Sequence, residues 1–405
     1  MRVAFLSPQF PAEMPEFTRG LAEVGAEVVG VGDVPVEAIP QRVRRYLSAY
    51  VQVPRLLDAA STLRHAVPEL RRLRVERVEC LWEVGVDLAA ELRLALDLPG
   101  QGVEDARTFR DKVLMKARLS AVGLRVPRNA RVQNESEAWV AAEEIGYPLI
   151  VKPIDGAGSA STYRVDSATE LTDVLKKVAH LAEVGIEEFI SGDEFTYDTV
   201  SIDGVPAFDS IAQYHPKPLE ARSQEWISPG QIGLRDPHAA GLDEAVAFGR
   251  KVLLAMGMGT GFTHMEWFRK ADGEIVFGEI AARAPGGRLV DQMNYANDFD
   301  VYREWARAVC WGTFEATAHR RFHVACVFKR AIGQGRIRRV EGMDRMRKEL
   351  GGSLVCEDLL PIGSQRRDWK QTLLSDGCLI ARHEDYATTH RMMQHLVDGV
   401  RIYAG

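Results

Sequence analysis

The first hundred residues alternate short apolar runs with stretches in which apolar residues recur at helical spacing. Residues 3–6 and 28–31 are continuous apolar runs, typical of strands that are buried on both faces. Between them, Phe17, Leu21 and Val24 recur at intervals of three or four, which predicts a helix. This alternation predicts a small doubly wound sheet of parallel strands.

The pattern changes further along the chain. Residues 103–123 keep a helical period and predict one long helix, whereas residues 130–205 predict a compact α+β unit. Residues 206–238 are rich in Pro, Gly, Ser and charge, so they predict loops, with a candidate cap over a substrate among them. Strands and turns return from about residue 314, and a final helix is predicted over residues 388–397.

Composition narrows the class of protein. The chain has 405 residues, 46% hydrophobic and 27% charged, which is ordinary for a soluble protein and too long for one core. Its formal net charge of -6 argues against nucleic acid or an anionic membrane as the main partner. The five cysteines form no C-x-x-C pair, which indicates a reducing compartment and no zinc site. Because no apolar run suits a signal peptide or a membrane span, a cytoplasmic location is expected.

Two acids face each other across a predicted hairpin. Asp272-Gly273 lies between two alternating runs, a strong signal for a two-residue turn that pairs Ala271 with Glu274. In that register Glu266 lies opposite Glu279, with Cβ atoms about 4.5–5.5 Å apart. The carboxylates then need a positive charge between them, and Mg²⁺ suits this position because it prefers oxygen ligands and keeps waters. The alternative is a solvent-facing pair of surface acids.

A lysine in an apolar strand, followed by a loop of Gly and Ser, predicts contact with phosphate. Lys152 lies within the run PLIVKPI, where its charge would be costly to bury without an anionic partner. The backbone N–H groups of the following loop can cradle phosphates, although the Walker A ending is missing. The loop residues that we assign to this cradle are Gly156, Gly158, Ser159 and Ser161.

The ordered set of these motifs resembles the ATP-grasp superfamily. The set comprises Asp111-Lys112, Lys152 with its loop, EEFI-x-G-x-E from Glu187 to Glu194, and the acids Glu266 and Glu279. The resemblance covers nearly the whole chain and implies α/β and α+β parts. It implies a doubly wound pre-ATP-grasp domain over 1–102, an ATP-grasp domain over 103–313 with a small lid lobe at about 130–205, and a β-rich C-terminal subdomain over 314–405. That last part is similar to the one in biotin carboxylases and carboxylate–amine ligases.

The resemblance also implies roles for single residues. Lys112 and Lys152 match the lysines that contact the α- and β-phosphates of ATP, and loop 155–161 matches the lid over the phosphates. Glu266 and Glu279 match the carboxylates that bind Mg²⁺, with Mn²⁺ as an alternative. The hinge that reads adenine matches Glu187, Glu188, Phe189 and Ile190, with backbone groups from the last two, and the acid that binds the ribose matches Glu194.

The stretch EIAAR followed by Gly-Gly looks most like the branch of L-amino-acid and dipeptide ligases. There an arginine, here Arg283, stabilises the tetrahedral intermediate, and Gly286 and Gly287 let backbone N–H groups approach the substrate. Many family members carry an Asn ligand where this chain has Ala281, so a third protein ligand is missing. Glu83, at a predicted strand end, is a candidate for binding a substrate amine.

The expected activity is ligation of a carboxylate and an amine, such as two amino acids, through an acyl phosphate with release of ADP and phosphate. Two alternatives stay open: another ATP-grasp chemistry, such as a carboxylase or a purine-pathway ligase, and a non-catalytic ATP-binding regulatory protein. The resemblance also leaves a homodimer open.

Overall fold

The computed structural model describes residues 1–154, 161–239 and 241–405, and the start of the chain forms a parallel four-stranded sheet in it. Its elements are β1 (Arg2–Leu6), α1 (Met14–Glu23), β2 (Glu27–Gly32), α2 (Gln41–Arg44), β3 (Leu47–Gln52), α3 (Ala59–Arg72), β4 (Arg77–Glu79) and α4 (Val86–Leu96). The strand order is β3-β2-β1-β4, with β1 parallel to both of its neighbours. The two strands predicted at the start of the chain are therefore confirmed.

The long helix predicted over residues 103–123 is wrong, because Asp111 divides it. The structure has α5 (Val103–Arg110) and α6 (Lys112–Ala121). Asp111 adopts an extended backbone, and its carboxylate accepts hydrogen bonds from the N–H groups of Val113 and Leu114, both at 3.0 Å. An aspartate in this position caps the second helix, which sets the direction of α6 independently of α5.

The next segment forms a small antiparallel sheet backed by two helices. Its elements are β5 (Asn129–Val132), α7 (Glu135–Ile145), β6 (Leu149–Pro153), β7 (Tyr163–Val165), α8 (Ala168–Val178) and β8 (Val184–Glu188), with strand order β5-β8-β6-β7. The helices present Ala138, Ala142, Leu171 and Val174 to an apolar core beneath this sheet. One face of the sheet is thereby buried, and Lys152 of β6 and Glu187 of β8 lie on the other face, where their side chains pair.

A large sheet of eight strands carries the rest of the chain. Its order is β13-β12-β9-β10-β11-β14-β17-β16, and a separate pair joins β15 and β18. The elements are β9 (Asp193–Ile202), β10 (Val205–Tyr214), α9 (Pro218–Ala221), β11 (Gly230–Gly233), α10 (Asp243–Ala255), β12 (Gly261–Arg269), β13 (Ile275–Ala281), α11 (Leu289–Asn297), α12 (Val301–Trp311), β14 (His323–Phe328), β15 (Ile337–Glu341), α13 (Met343–Leu350), β16 (Leu354–Leu359), β17 (Gly377–His383), α14 (Tyr386–Gly399) and β18 (Arg401–Ala404).

The prediction of loops over residues 206–238 is wrong in part. β10 runs for ten residues between β9 and β11, and pairs with both. Pairing on both sides satisfies its backbone groups, so this context outweighs the Pro-rich and polar composition of the segment. The predicted final helix lies within α14, which begins two residues earlier and ends two residues later. The predicted domain boundaries stay predictions; the large sheet crosses the one placed at 313/314.

Helix α1 attaches the first sheet to the large one. It packs against α12 so closely that a Cβ on Gly20 would lie 2.6 Å from the carbonyl oxygen of Tyr302. Phe17 of α1 contacts Trp305 of α12 and Phe262 of β12 edge to face, with ring centroids 5.1 and 6.4 Å apart. This apolar junction holds the carboxyl ends of the first sheet close to the hairpin of β12 and β13. Among the described residues, no helix combines the length and apolar character needed to cross a bilayer.

The hairpin pairs the two acids as predicted, but it contains a bulge and a longer turn that were not predicted. Glu266 is opposite Glu279, but Trp267 is opposite Phe277, so Gly278 is an extra residue on β13. The turn is also longer than predicted, because Lys270 donates its N–H to the Glu274 carbonyl at 3.0 Å. Ala271 therefore lies in the turn and does not pair with Glu274. The bulge turns Glu279 to the face of Glu266 while Phe277 stays in the core with Trp267.

Candidate active site

A cavity of about 480 Å³ lies between the small sheet and the large one. Nine of the residues predicted for nucleotide or metal contact line it: Lys112, Lys152, Glu187, Glu188, Phe189, Ile190, Glu194, Glu266 and Glu279. Gly156, Gly158 and Ser159 of the predicted lid lie outside the described residues. Ser161 is exposed with a φ of 52°, and its neighbour Thr162 lines the cavity. Residues from five separate stretches of the chain thus converge on one space.

Lys152 has the anionic partner that its burial requires, and that partner is Glu187. The Glu187 carboxylate contacts the Nζ of Lys152 and the Nζ of Lys116, both at 2.8 Å. The prediction gave Glu187 to the adenine hinge; in the structure its side chain neutralises two lysines. Lys116, fully buried on α6, is absent from the sequence prediction. Its signal was present, since Lys116 follows Lys112 by one helical turn and shares its face.

Burial and neighbouring charges shift the pKa values of Lys116 and Lys152 in opposite directions. Burial lowers the pKa of Lys116 to about 8, against the opposing effect of Glu187. For Lys152, burial lowers the pKa, but Glu187, Glu279 and Glu266 together raise it above its usual value. Lys152 therefore stays an ammonium at neutral pH, at the edge of the cavity where phosphate oxygens would lie.

The opposed acids Glu266 and Glu279 differ in their surroundings. Glu266 accepts a hydrogen bond from the Tyr214 hydroxyl at 2.9 Å, and Glu279 lies 3.5 Å from the Nζ of Lys112. Burial raises the pKa of Glu279, but Lys112, Lys152 and Lys116 outweigh burial and lower it to about 2. Glu279 is therefore ionised at neutral pH, as a metal ligand must be.

This pair of carboxylates fits Mg²⁺ by its chemistry. Two hard oxygen donors face one cavity that is also rimmed by lysines, an arrangement suited to a cation that keeps waters and shares phosphate oxygens. Among residues 1–154, 161–239 and 241–405, no three His, Cys, Asp or Glu side chains converge on one metal-sized point. A cation held by Glu266 and Glu279 would therefore depend on phosphate and water for its remaining ligands.

A histidine, His264, lies beside this pair, and its imidazole is hydrogen-bonded. His264 lies opposite Ala281 in the hairpin and contacts Asp198 through Nδ1 at 2.5 Å. Its Nε2 is 3.7 Å from the Glu266 carboxylate. Burial lowers its pKa, but Asp198 and Glu266 outweigh burial and raise it to about 9. His264 therefore adds a positive charge next to the acid pair.

Some polar groups of the predicted adenine hinge have hydrogen-bond partners within the protein. The N–H of Phe189 donates to the Pro148 carbonyl at 3.2 Å, and the Glu188 carboxylate accepts from Arg125 at 2.9 Å. The guanidinium of Arg164 lies over the Phe189 ring at 4.3 Å. Glu194 is buried, and burial together with Glu266 and Glu279 raises its pKa well above the usual range. Its ribose role, like the other residue roles, stays a prediction.

Arg283 and Glu83, predicted separately, meet in the structure. The Nε of Arg283 donates to the Glu83 carboxylate at 2.5 Å, and its Nη1 donates to the Ala284 carbonyl at 2.7 Å. Both side chains line a small recess that also includes Lys112, His264 and Glu279. Lys112 and Glu279 line both this recess and the cavity, and Glu83 brings the loop after β4 to the recess.

The glycines after Arg283 approach a residue that the sequence prediction missed. A Cβ on Gly286 would lie 3.8 Å from a carboxylate oxygen of Glu13, in the loop after β1. Gly287 has a φ of +68°, a conformation that favours glycine. Burial raises the pKa of Glu13 to about 7, against its own backbone N–H and Arg283, which lower it.

One wall of the cavity comes from the segment after β10, residues 217–227, which we call the strap. Its contributions to the wall are Lys217, Leu219, Glu220 and Ser223. Arg330, beyond β14, holds this segment: its Nη1 lies 2.8–2.9 Å from the carbonyl oxygens of Ala221, Gln224 and Ile227. The predicted cap over a substrate thus lies against the cavity of the predicted nucleotide residues.

Comparison with known proteins finds a family match and relatives for part of this chain. The model of the ATP-grasp domain family matches residues 117–286. The L-arginine-specific L-amino acid ligase of Bacillus subtilis is 30% identical over 205 residues, covering 49% of this chain and 49% of that protein. The D-alanine--D-alanine ligase of Pseudomonas fluorescens is 29% identical over 193 residues, covering 46% of this chain and 57% of that protein. The chain thus spans about half the length of the curated relatives it matches.

The fold likeness extends further than the sequence likeness. The crystal structure of the L-amino acid ligase from Bacillus licheniformis superposes with a TM-score of 0.81 at 18% identity, covering 100% of this chain and 98% of that one. At that identity the match shows the fold alone, and it confirms the predicted α/β and α+β architecture. Residues 117–286 thus match the ATP-grasp domain family, and the curated relatives of the chain include an L-amino acid ligase and a D-alanine--D-alanine ligase.

Proposed function

We propose that this protein is an ATP-dependent carboxylate–amine ligase that forms an amide or peptide bond through an acyl phosphate. The observation that carries the proposal is the contact between Arg283 and Glu83 at 2.5 Å. It joins the end of a hairpin strand that bears Glu279 to the strand ends of the first sheet. A carboxylate and an amine bound between them would meet beside the phosphate end of the nucleotide cavity.

The chemistry needs two displacements. A carboxylate oxygen of the first substrate attacks the γ-phosphorus of ATP, the bond from that phosphorus to the bridging oxygen breaks, and ADP leaves. The nitrogen of the second substrate then attacks the acyl carbon, the bond from that carbon to the phosphate oxygen breaks, and phosphate leaves. The amine gives up a proton, so atoms and charges balance.

The residues of the chain would act chiefly by placement and charge. Lys112 and Lys152 border the cavity as cations and would neutralise phosphate oxygens. Arg283 would face the negative charge that develops on the acyl oxygen during amine attack, and Glu83 fixes its orientation. Mg²⁺ held by Glu266 and Glu279 would supply Lewis-acid polarisation of the phosphate.

The test is phosphate release from Mg-ATP with a panel of amino acids, supplied singly and in pairs, with mass spectrometry of the products. We expect release that requires a pair, together with a product lighter than the sum of its substrates by one water. Release that depends on bicarbonate would support a carboxylase instead. ATP binding without release under any combination would support a regulatory protein.

A further inference from the structure

The strand order of the first sheet creates a crevice at its carboxyl edge. In the order β3-β2-β1-β4, the chain leaves β1 toward β2 on one side, while β4 pairs on the other. The loops after β1 and β4 therefore diverge at this point, where open α/β sheets bind ligands. Glu13 lies on the first loop and Glu83 on the second, and Glu83 touches Arg283, two residues beyond β13.

Two aromatic side chains stand at this crevice: Phe10 is largely exposed, and Trp82 is partly buried against the core of the first sheet. Phe10, on the loop after β1, is 56% exposed. Its ring meets that of Trp82, the residue before Glu83, edge to face with centroids 5.4 Å apart and an angle of 87°. The Ser7 hydroxyl fixes the Phe10 loop by donating to the Phe10 carbonyl at 2.6 Å.

We propose that Phe10 and Trp82 form the side-chain pocket of one amino-acid substrate and select bulky apolar or aromatic side chains. The inference rests on the proposed function and deepens it by naming the substrate class. Aromatic rings placed edge to face offer both a ring face and a ring edge to hydrocarbon and to a further ring. Glu13 and Glu83 lie on the same two loops as these rings, and Arg283 influences both carboxyl groups. They would bind the ammonium group of the same amino acid, which orients its side chain to the aromatic pair.

Steady-state kinetics of the full chain test the selection. The variants are Phe10→Ala and Trp82→Ala. The matched control is Leu94→Ala, because the Leu94 side chain is 74% exposed on α4, the helix that follows β4. For L-phenylalanine and L-leucine we expect KM to rise by about tenfold or more with kcat nearly unchanged, since uniform binding is lost. For L-alanine the KM should change little, and the control should leave every value unchanged.

A turnover profile that prefers charged or small amino acids, and is the same in Phe10→Ala, would overturn the inference while leaving the ligase proposal intact. If no amino-acid pair gives turnover, the proposed function fails, and calorimetric binding still decides the inference. Titration of L-phenylalanine and of L-alanine into the protein with Mg²⁺ and a non-hydrolysable ATP analogue should show a preference for L-phenylalanine that Phe10→Ala abolishes. Equal binding of both, or a preference unchanged in the variant, contradicts it. Trp82→Phe keeps an aromatic ring and should retain the preference.

Discussion

At the scale of single residues, Arg283 is held by the Glu83 carboxylate at 2.5 Å and by the Ala284 carbonyl at 2.7 Å. These contacts orient the guanidinium, and Arg283 is not among the residues that line the cavity between the two sheets. We therefore expect Arg283→Ala to keep ATP affinity while turnover falls by about 10²-fold or more. Parallel measurement of nucleotide binding and phosphate release separates the two effects. The exposed Arg338, changed to Ala, is the control, and near-normal turnover of Arg283→Ala would remove the proposed role.

The Glu13 carboxyl should make the stability of the protein depend on pH. Burial raises the pKa of its carboxyl from 4.5 to about 7, with Arg283 and Arg288 opposing burial and Asp291 adding to it. The folded state thus binds a proton more tightly than the unfolded state, and the stability of the protein falls as pH rises from about 4.5 to 7. Glu13→Gln removes this cost, so we expect it to be more stable than the parent at pH 8, by an amount on the order of 1–3 kcal/mol, and similar near pH 4.5.

Melting temperatures of parent and variant at pH 4.5 and pH 8 measure this difference. The exposed Glu37, changed to Gln, serves as the control and should shift neither value. An equal difference between Glu13→Gln and the parent at both pH values would show that the Glu13 carboxyl does not titrate differently on folding.

Sequence reasoning identified charged residues better than their partners. Lys152, Glu266 and Glu279 could be singled out because a charge in an apolar strand or opposite a like charge needs an explanation, whereas Lys112 was singled out only through the resemblance to the ATP-grasp superfamily. The partners of Lys116 and His264 were not predictable, since Glu187 and Asp198 lie on distant strands. The Arg283–Glu83 contact spans 200 positions of the chain and depends on the docking of the first sheet, which no local pattern encodes.

At the scale of elements, the bulge at Gly278 decides which face Glu279 occupies. A Cβ on Gly278 would lie 2.8 Å from the carbonyl oxygen of Glu266, too close without a shift of the backbone. Gly278→Ala should therefore displace the strand next to the acid pair and weaken the response of phosphate release to Mg²⁺, raising the Mg²⁺ concentration needed for half-maximal release by several fold. Gly259→Ala is the matched control, because a Cβ there meets nothing within 4 Å.

An unchanged Mg²⁺ titration in Gly278→Ala would show that the hairpin adapts without moving Glu279. The bulge itself could not be predicted, because the alternating pattern is satisfied by a regular hairpin as well. The turn has one residue more than predicted, and β13 has one extra residue at Gly278. The two differences cancel, so a regular hairpin also predicts Glu266 opposite Glu279. Asp111 similarly interrupts a helical pattern that is continuous in the sequence, through a cap that depends on which backbone N–H groups it reaches.

At the scale of the whole molecule, the C-terminal part of the chain helps to hold one wall of the cavity between the small and the large sheet. Strands β14, β17 and β16 extend the sheet that bears Glu266, and Arg330 follows β14 directly. Its Nη1 lies within 2.9 Å of three carbonyl oxygens of the strap, and its guanidinium lies 4.5 Å from the Trp369 ring centroid. The strap, and with it Lys217, is therefore held from outside the segment that matches the family model.

We expect Arg330→Ala to raise the KM for ATP by about tenfold while kcat falls much less, because the strap loses its anchor and the reacting residues keep theirs. Arg330→Lys should restore much of the affinity, since an ammonium also offers several donors to the three carbonyls. Melting temperature is measured alongside to detect general destabilisation, and Arg222→Ala, which removes a single bond to the Lys370 carbonyl, is the milder comparison. An ATP KM that follows melting temperature across all three variants would contradict an anchoring role.

The register of the hairpin has a consequence for how this site changes in evolution. His264 and Ala281 are directly opposed, so an imidazole on one strand shares its space with a methyl group on the other. A larger side chain at 281, such as the amide common elsewhere in the superfamily, would compete with the imidazole and with its tie to Asp198. The two positions are therefore expected to covary among relatives: histidine at 264 should accompany a small residue at 281, and a change at one should be tolerated only with a change at the other.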